Sequence, residues 1–347
     1  MHPITITWNA MAQTVDDIAD HMGLSVTTIR LVLLGKARQY RISRATETRV
    51  RDYIDEHGYQ INHTARSLRL KRTDTLALIL PRLSNHYFAY LAELLECRCR
   101  EAGLQLMVAC CDDSEANQQA LIDNFQQRNV DGLFLVPANA KLAAMAAKLF
   151  DNRLVLLDRD FGMSEYPVVV SDNERAGFEL GQKLISFCRR SGRDPSILLL
   201  AGNPFMPSID SRTEGIKRAV KEAGLPRKNL QVQQAPRNGF SDGKNAMQRY
   251  LRAGQNLPSV LVSSSIPVFE GALAALRAER RGYSCEQVLA TFDDNTMLDF
   301  LPNPVCSMRQ DCPHMIDLAF AEMQGLMTGH ATIGRHISPL TLVARNM

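Results

Sequence analysis

The stretch TVDDIADHMGLSVTTIRLVLLGKA, residues 14–37, decides how the N-terminal part of this chain folds. Thr14 followed by Asp17 is a helix-start signal, because the hydroxyl accepts a backbone N–H of the first turn while the carboxylate favours the positive helix end. Val15, Ile18, Ala19 and Met22 then recur at helical spacing, and Gly23 supplies the stop. Ser25 is placed to cap a second helix over 26–34, with Ile29, Val32 and Leu33 inward and Thr27, Thr28 and Arg30 outward. Two short helices joined by Gly23, Leu24 and Ser25 fit the helix-turn-helix pattern. Neither can bury its apolar stripe alone, so a third helix is expected, opened by Ser43 and running through Val50, Tyr53 and Ile54 to about Gly58.

In such a module the second helix enters the major groove, where its first exposed side chains meet base edges and nearby cations meet phosphates. Ser25, Val26, Thr27, Thr28 and Arg30 are the candidate readers. Lys36, Arg38, Tyr40 and Arg41, with Arg44 beyond them, form a candidate phosphate-contacting stretch. The charge balance agrees: residues 30–73 hold eleven Lys and Arg against four Asp and Glu, whereas the whole chain carries only +3. A basic segment on a near-neutral body points to a polyanionic partner at one end only.

The length of 347 residues suits a small module plus a two-lobed body. An apolar share of 45% and a charged share of 22% belong to a soluble globular chain, and no apolar stretch approaches the roughly 20 residues of a membrane span. Residues 1–13, which contain Trp8, lack a basic start and a long apolar core, so they read as an extension rather than a secretory signal and the cytoplasm is the expected compartment. The eight cysteines show neither C-x-x-C pairs nor zinc spacing with histidine, so no metal and no cofactor are expected.

Taken together, residues 14–37 and EHGYQINHTARSLR at 56–69 are similar to the lactose-repressor family of transcription regulators, and the similarity runs through the chain after residue 13. GKARQYRIS at 35–43 and ATFDDNTMLDFL at 290–301 resemble most the fructose (catabolite repressor/activator) and sucrose-operon branch. The resemblance implies a helix-turn-helix domain over 14–60, a hinge helix and linker over 61–73, and an effector-binding, dimerising body over 74–347. It also implies that the hinge helix folds on DNA, with Leu68 as a wedge in the minor groove. Asn62 can cap that helix, Ala65 permits close approach of a second copy, and Arg66, Arg69, Lys71 and Arg72 surround the wedge. Two residues depart from the family pattern: Ile61 stands where a proline is usual, and Leu31 stands where many members carry Arg or Tyr, so it can touch a thymine methyl but cannot pair with guanine.

From Thr75 the pattern changes to short apolar strands alternating with helical stretches, at 76–80, 104–109, 132–136 and 154–157, then at 168–170, 197–200, 260–262 and 288–292. Such alternation builds α/β lobes with parallel sheets, and ligands bind beyond the carboxyl ends of the strands. The resemblance implies the type 1 periplasmic-binding-protein fold, with the chain crossing between lobes near 160, 305 and 335. Polar residues just after strands are candidate ligand contacts: Asn85 with Tyr87 and Phe88, Asp158 and Arg159, Asp172, and Ser265. By resemblance Arg212, three residues before Gly215, and Asp293 contact a sugar. Arg donors and Asp acceptors suit a hydroxyl-rich ligand, and arginine also suits a phosphate. Ser264 and Ser265 replace the Asn-Asp of many members, so a phosphate is a further possibility at that point.

Rival classes fit less well. Gly239 to Lys244 is too short for a phosphate-binding loop and is followed by Asn245, no H-E-x-x-H occurs, and a solute-binding protein would need no DNA module. The expectation is therefore a regulator, not an enzyme: a homodimer on a palindromic operator, released by a sugar or sugar phosphate, with repression or activation left open. The tail after Gly329 shows no heptads, so a coiled-coil tetramer is not expected; a dimer is the minimum and a tetramer of another kind the alternative.

Overall fold

The computed structural model describes residues 14–57, 72–278 and 285–347. The chain divides into two units, Met1–Thr73 and Asp74–Met347. The hinge residues Asn62, Ala65, Arg66 and Leu68 lie outside the described residues.

The first unit contains α1 (Val15–Met22), α2 (Val26–Leu33) and α3 (Arg44–His57). Thr14 and Asp17 form a reciprocal capping box, and Gly23 closes α1 at φ 62°. Ser25 Oγ accepts the Thr28 N–H at 3.1 Å and so caps α2. The core is small: Ile18, Ala19, Ile29, Val32, Ala37 and Val50 are buried, with Val15, Met22, Val26, Tyr53 and Ile54 packed against them. Leu33 departs from its expected inward position and is 37% exposed, because α2 ends at that residue and no later turn covers it.

The second unit holds two six-stranded sheets of the same design. One has β1 (Thr75–Leu80), β2 (Gln105–Cys110), β3 (Gly132–Leu135), β4 (Leu154–Leu157), β5 (Pro167–Ser171) and β11 (Gly334–Ser338), in the order β11-β5-β4-β3-β1-β2. The other has β6 (Ile197–Ala201), β7 (Leu230–Gln234), β8 (Val260–Ser263), β9 (Val288–Phe292), β10 (Val305–Gln310) and β12 (Leu340–Arg345), in the order β12-β10-β9-β8-β6-β7. All pairings are parallel except that of β10 with β12. The central strands are buried on both faces, which accounts for their unbroken Val, Ile and Leu runs.

Helices α4 (His86–Glu101), α5 (Glu115–Gln127), α6 (Ala140–Leu149) and α11 (Cys312–Thr328) cover the first sheet, while α7 (Asn173–Arg190), α8 (Pro207–Glu222), α9 (Phe240–Arg252) and α10 (Ile266–Ala278) cover the second. The pairs α7–α8 and α9–α10 approach closely enough that their glycines leave no room for a side chain. A Cβ on Gly177 would lie 2.3 Å from the Arg212 carbonyl oxygen, and one on Gly271 would lie 2.0 Å from that of Phe240.

Three crossings join the lobes: between β5 and α7 at Asp172, between β10 and α11 at Asp311, and between β11 and β12 at Pro339. The first corrects the sequence expectation of a crossing near 160. The strand at 168–170 belongs to the first sheet, because Val168 and Val169 pair with Leu156 and Leu157 of β4. Four further strands, β7, β10, β11 and β12, are present beyond those the sequence pattern predicts; β7, β11 and β12 lie at sheet edges, where half-exposed polar sequences satisfy the pairing.

Candidate functional site

In both sheets the strand order reverses beside the first strand of the lobe, between β1 and β3 and between β6 and β8. Loops leaving the strands there diverge and open a crevice. The two crevices face each other across a cavity of about 430 Å³. It is lined by Arg82, Asn85, Tyr87, Phe88, Asp158 and Arg159 from the first lobe, and by Ser208, Arg212, Arg237, Gly239, Ser265 and Asp293 from the second. Eight of the nine ligand-contact candidates thus meet in one place. Asp172 is the exception: its carboxylate caps α7 by accepting the Arg175 N–H at 3.4 Å, and it does not line the cavity. A residue that follows a strand immediately at a helix start is taken up by the free N–H groups of that helix.

Arg212 is 5% exposed. Its Nε donates to Asn173 Oδ1 at 2.8 Å and its Nη1 to the Ser264 carbonyl at 2.7 Å, while the guanidinium lies 4.7 Å from the centre of the Phe292 ring. None of the ion pairs among the described residues includes Arg212. Arg159, by contrast, is ion-paired within the first lobe: its Nη1 donates to Asp113 at 2.9 Å and to the Pro137 carbonyl at 3.3 Å, while its Nε lies 3.7 Å from Asp158 and makes no hydrogen bond among the described residues. Arg82 likewise pairs with Asp112 and Asp113, and its Nη1 reaches across the mouth to the Arg237 carbonyl at 3.2 Å.

Asp293 adopts φ 69° and accepts from Gln310 Nε2 at 2.6 Å. Burial pushes its carboxyl above the ordinary value, and Arg212, Gln310 and the Ile266 N–H offset only part of that rise. Asp158 accepts from the Tyr87 hydroxyl at 3.1 Å, and burial followed by the nearby Asp158 charge holds the Tyr87 phenol well above its usual range. The buried hydroxyls of Ser263, Ser264 and Ser265 find no hydrogen-bond partner among the described residues, and Ser265 opens onto the cavity at the start of α10. Arg237 and Gly239 escape a reading of the sequence because the edge strand before them does. Gln310 escapes it because the mixed Val-Cys-Ser-Met-Arg-Gln sequence of β10 shows no strand signal.

On the first unit, Ser25, Thr27, Arg30, Lys36, Arg38, Tyr40 and Arg41 are exposed, whereas Thr28 and Leu31 are half-buried. Val26 is half-buried and packs against the module core, and Thr28 Oγ1 is 2.8 Å from Ser25 Oγ. The described residues contain no cluster of three or more His, Cys, Asp or Glu placed to hold a metal, and no helix long and apolar enough to cross a membrane.

Known proteins share this arrangement. A family model described as a periplasmic binding protein domain matches residues 76–331. The fructose operon regulatory protein of Vibrio cholerae is 30% identical over 337 residues, covering 96% of this chain and 98% of the relative. The chain belongs to the lactose-repressor family. Among solved structures, the Cra transcriptional dual regulator of Pseudomonas putida in complex with fructose 1-phosphate superimposes with a TM-score of 0.72 at 26% identity, over 80% of this chain and all of that one. A lac repressor dimer bound to operator and an anti-inducer gives 0.81 at 19% identity, over 96% and 98%, which shows the common fold. Within the lactose-repressor family, helix-turn-helix modules are transcription-regulating domains, and this chain is a transcription regulator.

The exposed cations of the first unit carry a direct expectation. Changing Lys36, Arg38 and Arg41 together to alanine should lower the slope of log affinity against log salt by about 0.9 for each phosphate left without its cation. Fluorescence anisotropy on random-sequence duplex across a salt series measures this. An unchanged slope would remove these residues from the interface.

Proposed function

We propose that this regulator binds a palindromic operator as a dimer and controls sugar-utilisation genes, and that its effector is a phosphorylated sugar of the fructose 1-phosphate type held between the two lobes. The observation that carries the reading is Arg212, a buried guanidinium that forms no direct ion pair among the described residues, facing a cavity of about 430 Å³ alongside Asp293. A buried guanidinium without a direct ion pair favours an incoming anion, and the planar fork of arginine suits phosphate. Asp293 and Asp158 supply the acceptors that sugar hydroxyls require. Ser25, Val26, Thr27, Thr28, Arg30 and Leu31 are the proposed base contacts, Lys36, Arg38, Tyr40 and Arg41 the proposed phosphate contacts, and Asn62, Ala65, Arg66 and Leu68 the proposed hinge contacts.

Names of relatives agree with the effector class: one regulates a fructose operon and another is crystallised with fructose 1-phosphate. Effector binding favours one lobe arrangement and thereby weakens operator binding. To move the operator-competent population from 99:1 to 1:99, the effector must prefer the other state by about 5.5 kcal/mol, shared over the sites of a dimer. Thermal unfolding in fructose 1-phosphate, fructose, sucrose 6-phosphate and inorganic phosphate tests the reading. A ligand at one hundred times its Kd stabilises by about 2.7 kcal/mol, so a clear rise in melting temperature is expected with fructose 1-phosphate and little with fructose. Equal responses to both, or none to either phosphorylated sugar, would refute it.

A further inference from the structure

Two polar chains start on the charged groups that face the cavity and end on one residue of the opposite lobe. Arg212 Nε donates to Asn173 Oδ1 at 2.8 Å, and Asn173 Nδ2 donates to the Ser171 carbonyl at 3.1 Å. Asp293 Oδ1 accepts from Gln310 Nε2 at 2.6 Å, and Gln310 Oε1 accepts from the Ser171 hydroxyl at 2.6 Å. All five side chains are buried. Ser171 is the last residue of β5, directly before the first crossing, and Gln310 is the last of β10, directly before the second. The third crossing joins them, because the Asp172 N–H donates to the Ser338 carbonyl at 3.0 Å and the Ser338 hydroxyl to the Asp311 carbonyl at 3.4 Å.

We propose that Gln310 is a positioning residue that transmits the position of Asp293 to Ser171, with Asn173 as the parallel link from Arg212, so that effector contact sets the angle of the lobes at their crossings. Ser171 is thereby held from both sides. A buried amide satisfied at both ends has one arrangement that leaves neither partner stranded, and stranding either is costly. Movement of the Asp293 carboxylate therefore pulls on the first lobe through a chain with no slack. The crossings are where a rotation between lobes must be absorbed, since the sheets on either side are packed and rigid. Gln310 needs no effector contact of its own for this role.

The inference rests on the proposed effector cavity, and its test separates the two. In the full chain, Gln310→Leu removes donor and acceptor at similar volume. Operator affinity is measured by fluorescence anisotropy on a palindrome selected with the unaltered chain, with and without saturating fructose 1-phosphate. The expected result is effector-free operator affinity within about twofold of the unaltered chain, with an effector-driven weakening reduced about tenfold or more, within the usual range of coupling between sites. Ser171→Ala, a smaller change that keeps the fold if Gln310→Leu does not, should show the same loss. The double variant should lose no more than either single one, because all three break one chain. A lowered melting temperature with unchanged effector-driven weakening would mean that Gln310 is only a packing residue, and would overturn the proposal. A second measurement needs no effector: Asp293→Ala should raise hydrogen exchange at 171–173 and 338–340, and should add nothing in the Gln310→Leu background. Unchanged exchange overturns the relay. If fructose 1-phosphate leaves the unaltered chain indifferent, the effector reading fails and the exchange result still judges the relay.

Discussion

Arg212→Ala is expected to abolish the effector response while leaving operator affinity nearly intact. The guanidinium is oriented before any ligand arrives, by Asn173, by the Ser264 carbonyl and by the face of Phe292. It forms no direct ion pair among the described residues, so an incoming phosphate meets a fixed guanidinium with bonding capacity to spare. Hydrogen bonds to charged groups contribute about 1.5–3 kcal/mol each, so losing two of them weakens effector binding by about a hundredfold or more. Removal also strands Asn173 Oδ1 and the Ser264 carbonyl, so some stability is lost as well. Arg212→Lys separates the effects: the charge remains, but one ammonium cannot reproduce the planar fork, and an intermediate loss is expected. Titration calorimetry with fructose 1-phosphate and anisotropy on operator DNA measure the two quantities. A variant that lost operator binding and kept its effector response would show that Arg212 serves another purpose.

The second large effect is expected at a residue that touches no ligand. Gly177 of α7 faces the backbone of Arg212 itself: an added Cβ would sit 2.3 Å from the Arg212 oxygen and 3.2 Å from its Cα. These are backbone atoms that cannot swing aside, so Gly177→Ala forces α8 away from α7. Overpacking of this kind costs about 1–3 kcal/mol, occasionally more. Because the displaced segment carries Arg212, effector affinity should fall together with stability. Gly181→Ala, one turn further on, is the control. Its Cβ would lie 2.6 Å from the Ala219 side chain and well away from Arg212, so it should cost stability with a much smaller loss of affinity. Urea denaturation and effector titration of both variants decide the matter. Equal affinity losses at the two positions would show that helix separation in general, not the seat of Arg212, is responsible.

The local signals around the first unit are legible to the residue. Thr14 with Asp17, Gly23 at a positive φ and Ser25 as a cap each act within four residues of chain, so their hydrogen bonds are written in adjacent letters. Leu33 departs from expectation because helical spacing gives the face of a helix but not where the neighbouring helix stops covering it. In the body the buried central strands announce themselves as unbroken apolar runs. Edge strands do not, since half of their side chains are solvated.

From the sequence alone came the helix starts and stops, the alternation of strand and helix, the basic bias of one end, and the residues that follow each central strand. Tertiary structure alone decided that the strand at 167–171 joins the first sheet, that Asp172 is taken up as a helix cap, and that Gln310 reaches both Asp293 and Ser171. The reason is range. A cap or a turn is closed by neighbours in sequence, whereas Ser171 and Gln310 stand 139 residues apart and are brought together only when two parallel sheets have chosen their registers.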